Sequence, residues 1–116
     1  MIANITAKAR AEMKAANWLR WIDDHAVIYE YAVNRVMATR IRLISRSDAE
    51  RIVADLVDED GPGLLVDWWR KDYPALYERA IRHAMRALAM QGHTESRLRS
   101  LAETCVDSII LEYGHP

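Results

Sequence analysis

The chain has 116 residues, of which 51% are apolar and 28% charged, and a formal net charge of −1. That is the length of one domain with material for one core, so two independent cores and a disordered chain are both excluded. Near-neutrality excludes an attraction of the whole molecule to nucleic acid or to an anionic membrane, so any charge-driven partner has to be met by local patches.

The segment 3–21 is predicted as a helix. Met1-Ile2-Ala3-Asn4 lacks the basic-then-apolar pattern of a signal peptide, and Lys8, Arg10, Glu12 and Lys14 follow at once. At about 100° per residue the segment carries two apolar stripes. Ile5, Ala9, Met13, Ala16 and Leu19 form one, and Ala7, Ala11, Ala15, Trp18 and Ile22 the other. A surface helix usually has one stripe, so this helix is expected either to be central or to meet a partner with its second face. A second copy of the chain, docked through this helix, is one such partner.

Asp23-Asp24 is read as an N-cap pair for a helix over 24–45. Its core stripe is Tyr29, Ala32, Val33, Val36, Met37, Leu43 and Ile44, and its other face carries Tyr31, Arg35, Arg42 and Arg46. Ser47-Asp48-Ala49-Glu50 has the pattern of a capping box and opens a helix over 48–59 with Ile52, Val53, Leu56 and Val57 inward. This helix is acidic: Asp55, Asp58, Glu59 and Asp60 lead into the break at Gly61-Pro62-Gly63. A short helix over 64–71 then carries the adjacent Trp68 and Trp69, which lie about 100° apart, so one is expected in the core and the other at the surface.

Asp72 and Pro74 open the next helix, 74–91, with Tyr77, Ala80, Ile81, Ala84, Met85 and Leu88 inward and Arg79, Arg82 and Arg86 along one face. Gly92 ends it. Thr94 is read as the cap of a last helix, 95–112, with core stripe Leu98, Leu101, Ala102, Cys105, Val106 and Ile109. Cys105 is the only cysteine; no intramolecular disulfide can form, and a reducing, cytoplasmic setting is expected. No run approaches the roughly 18 apolar residues of a membrane span. The expected fold is all-α: one domain, a compact bundle of about five helices with mostly antiparallel neighbours and no sheet.

Charge is segregated along the chain. Residues 1–47 carry +4, residues 48–72 carry −5 and residues 73–116 carry 0. Against this, catalytic patterns are missing: no nucleophile elbow, glycine-rich phosphate loop, H-E-x-x-H or paired C-x-x-C is present. No catalytic, cofactor-binding or metal-binding residue is assigned. Asp23, Asp24 and His25 could contribute metal ligands, which keeps a metal-dependent enzyme as a minor alternative, but a capped helix start accounts for them more simply.

The function expected is a non-enzymatic protein-binding module that occupies a partner's surface. Trp18, Trp21, Trp68 and Trp69 supply aromatic anchors, and Asp55, Asp58, Glu59 and Asp60 an acidic rim suited to a basic partner surface. Small motif-free helical proteins are common among phage and mobile-element inhibitors of host defence, including anti-CRISPR proteins, and the association is at the level of that class alone. The alternative is a protein that binds nucleic-acid backbone through Tyr31, Arg35, Arg42 and Arg46 on one helix and Arg79, Arg82 and Arg86 on another. A helix-turn-helix reader is disfavoured, because the helix after the Ser45–Ser47 break is acidic and phosphate would repel it.

Overall fold

A computed structural model describes residues 7–39 and 43–116. Six helices follow one another: α1 (Ala7–Asp24), α2 (Ala26–Thr39), α3 (Arg46–Asp60), α4 (Gly63–Asp72), α5 (Pro74–Met90) and α6 (Glu95–Tyr113). Among the described residues there is no strand, and no helix is long and apolar enough to cross a membrane. The all-α reading therefore holds, with six helices where about five are expected, because the short 64–71 segment is a full helix of 10 residues.

One core joins five of the six helices. Ile28, Tyr29, Ala32, Val33 and Val36 of α2 meet Ala49 and Val53 of α3, Leu65, Val66 and Trp69 of α4, Tyr77 and Ile81 of α5, and Ala102, Val106 and Ile110 of α6. None of the described buried side chains is polar or charged. The most extensive pairing is α5 with α6, two long helices joined by only residues 91–94, with Gly92 in the left-handed region at φ 88°. The whole is a slab, 51 × 50 × 20 Å, about two helix diameters thick.

Several boundaries differ from expectation. Asp23 and Asp24 do not cap α2; they form the last turn of α1, and His25 alone separates the two helices. The break at His25 is tight because its amide still bonds to the Trp21 carbonyl at 2.9 Å while its own carbonyl receives the Tyr29 amide at 3.0 Å. The 24–45 helix is shorter than expected. Residues 43–45 are not helical, and Leu43, assigned to the core stripe, is 104% exposed. Ser45 is the reason: its extended backbone and side-chain oxygen cap α3, accepting the Asp48 amide at 3.1 Å, two residues before the expected Ser47 box. Glu50 consequently does not reach back as a capping-box residue, and pairs with Arg46 one turn earlier at 2.7 Å. Asp72 closes α4; Tyr73, with no side-chain cap, precedes Pro74 at the start of α5. Thr94 stands at the N-cap of α6 but makes no side-chain cap bond.

In α6 the buried row is Leu98, Ala102, Val106 and Ile110, a strict four-residue spacing. Such a row advances about 40° around the helix at each step, so it moves off the straight stripe expected from residue 98. Cys105 and Ile109, placed in the core by that stripe, are exposed instead.

Candidate protein-interaction groove

α1 stands apart from the core. None of its described residues is buried. Of its two apolar stripes, the one with Trp18 and Ile22 faces the body, with Trp18, Trp21 and Ile22 packed against the core edge. The other stripe faces outward, leaving Met13 56% and Leu19 63% exposed. The helix is thus peripheral, not central.

Its inward stripe is only partly covered, because α1 and α3 flank a groove of about 550 Å³. Ala15, Trp18 and Trp21 line one wall and Ala54 and Val57 the other, with Lys14, Asp55 and Asp58 at the rim. The indoles of Trp18 and Trp21 are stacked, 5.2 Å between centroids and 4° from parallel. Trp21 stacks in turn on the His25 ring at 4.4 Å, and Trp18 meets Tyr29 edge-on at 5.9 Å. His25 Nδ1 lies 2.9 Å from the Trp21 carbonyl oxygen and donates to it. This ring ladder is anchored at the α1–α2 junction, so the wall it presents is pre-formed.

At the rim, Lys14 Nζ sits 2.7 Å from Asp58, both side chains more than half exposed. Asp55, Glu59 and Asp60 are exposed and have no cation partner among the described residues. They cluster in the last two turns of α3, whose own last turn holds no basic residue to offset the negative end of the helix dipole.

The structure separates the remaining expected site residues. Trp69 is buried and Trp68 half-buried, which matches the core-and-surface split read from their spacing. Trp68 is covered by the Arg35 guanidinium, 4.8 Å from the ring centroid, so it is not an open anchor. Neither lines the α1–α3 groove.

No family model matches the chain, and no curated protein or solved structure matches it significantly.

The arginine face expected on the second helix is largely answered within the chain. Arg35 donates to Asp72 at 2.9 Å, and the Tyr31 hydroxyl donates to the same carboxylate. Arg46 belongs to α3, not α2, and is held between Glu30 and Glu50. Arg42 lies outside the described residues. On α5, Arg79, Arg82 and Arg86 are exposed and make no ion pair among the described residues. The two arginine faces therefore do not form one surface of free cations. Asp23, Asp24 and His25 are not assembled as a metal site; among the described residues no group of three or more potential ligands is.

Asp72 is the partner of Tyr31 and Arg35 that spacing misses. Desolvation alone would raise its carboxyl, but the hydrogen bonds from Tyr31 and Arg35, with the guanidinium charge, hold it below its ordinary value. Desolvation and the Asp72 contact together push the Tyr31 hydroxyl well up. A carboxyl lowered in the folded state stabilises the fold above the unfolded carboxylate range of about 3.9, and that contribution is lost as pH falls through the folded value. Asp72→Asn is accordingly expected to cost about 1 kcal/mol at neutral pH, a modest figure because the pair is partly exposed. Urea titrations at about pH 7 and about pH 3 check this: the gap between variant and parent is expected to close at the acid end, and a gap independent of pH rules the linkage out.

Proposed function

We propose that the chain is a non-enzymatic protein-binding module that acts by occupying a partner's surface, with the α1–α3 groove as its contact face. The observation that carries this reading is the stacked Trp18–Trp21 pair, half-exposed along an open groove and rimmed by Asp55 and Asp58. Aromatic anchors inside a charged rim are the composition of binding hot spots. The outward stripe of α1, with Met13 and Leu19, extends the apolar surface around the same helix. Occupation of a surface is also how small phage and mobile-element inhibitors of host defence work, and the reading extends to that role. The second reading, contact with nucleic-acid backbone, is supported by the exposed Arg79, Arg82 and Arg86 on α5.

Photo-crosslinking separates the two. A crosslinking side chain at Asn17, exposed on the groove wall, and another at Arg82 are compared in extracts of the cells that make the chain. The Asn17 probe is expected to capture a discrete protein, and Trp18→Ala with Trp21→Ala to reduce that adduct at least about tenfold, in a protein whose helical circular dichroism is retained. Capture of DNA or RNA at Arg82 with no protein at Asn17 reverses the order of the two readings.

A further inference from the structure

Resting on that reading, we infer that the groove takes a basic amphipathic helix, with its apolar face against Trp18 and Trp21 and its lysines or arginines at Asp55 and Asp58. Three observations converge on this occupant. The walls are apolar and already helical on both sides, and no strand edge is available among the described residues for an extended peptide to join. The groove volume, about 550 Å³, has room for a few apolar side chains projecting from one face of a helix. The rim selects the sign of the partner. Of the two rim acids, Asp55 has no cation among the described residues, and both stand towards the negative end of the α3 dipole. The cation already present, Lys14, is drawn to Asp58 at 2.7 Å across the groove mouth. The chain's own lysine thus occupies one of the positions an incoming cation would take. The same charges repel nucleic-acid phosphate and anionic lipid from this face.

The probe is a fluorescein-labelled synthetic helix of about 16 residues, with leucines at three- and four-residue spacing on one face and lysines flanking them. Its twin has every lysine replaced by glutamate. Binding to the full chain is read by anisotropy at low and high salt. The lysine peptide is expected to bind at least about tenfold more tightly than the glutamate twin, and to weaken as salt rises. Asp55→Lys with Asp58→Lys is expected to weaken it by about tenfold or more; both positions are exposed, so the fold is not at stake. Lys14→Ala, which frees Asp58, is expected to tighten binding by about threefold. Equal binding of the two peptides, indifference to the Asp55 and Asp58 reversals, or weaker binding by Lys14→Ala each overturns the inference. Should the lysine peptide fail while the Asn17 crosslink to protein persists, the occupant proposed here is wrong and protein binding at this face stands; loss of both removes both.

Discussion

Trp69→Ala is expected to lower the unfolding free energy by about 3–5 kcal/mol, a large share of the roughly 5–15 kcal/mol that holds a domain together. Trp69 is 4% exposed and sits where α4 meets the shared core, with the Tyr73 ring 5.1 Å away. Removing the indole strips apolar contact from α2, α5 and α6 side chains gathered in one cluster and leaves a void too large for the backbone to close. Its neighbour provides the control. Trp68→Ala loses a half-buried ring and the stacked guanidinium of Arg35, a change expected to cost about 1–2 kcal/mol. Urea denaturation of both variants, at unchanged m-value, measures the difference. Equal losses at the two positions contradict the division of this pair between interior and surface.

Gly114→Ala is expected to cost about 2–4 kcal/mol, although glycine contributes no side chain. Gly114 ends α6 in the left-handed conformation, φ 82°, with its amide donating to Ile110 at 2.7 Å. It is also buried, and a Cβ at this position would overlap the Val27 side chain and lie 3.2 Å from the Ile28 amide nitrogen. The substitution therefore adds a steric push against the first turn of α2 to the ordinary backbone cost. Gly92 separates the two contributions. It has a similar φ, 88°, but open space around it, so Gly92→Ala is expected to cost only about 1 kcal/mol. Thermal melts of both variants test this, and a Gly114→Ala loss no greater than that of Gly92→Ala would mean that α6 does not press on α2.

The helices were legible because their signals are local. Periodicity marks α2 through its buried Tyr29, Ala32, Val33 and Val36, and the 100° offset between Trp68 and Trp69 is enough to assign them to opposite environments. Errors arise where two local signals compete. Ser45 and Ser47 both suit a cap, and the choice between them depends on where the chain turns, not on the residues themselves. Cys105 and Ile109 fit a straight stripe, but the buried row precesses away from them. The candidate groove was half legible. The double stripe of α1 and the acids of α3 stand out in the sequence, but that they face each other depends on the one-residue break at His25. The partners of Arg35 and Tyr31 had no local signal at all, since Asp72 lies 37 and 41 residues further on.

The slab outline has a consequence for how the molecule travels. Its radius of gyration is 17.8 Å, the value of a sphere-like protein of about 245 residues. A plate of this kind drags slightly more solvent than a sphere of its mass, so on a sizing column a lone chain is expected to elute a little early. Mass therefore has to come from scattered light or sedimentation equilibrium, and early elution alone is what a single thin disc produces.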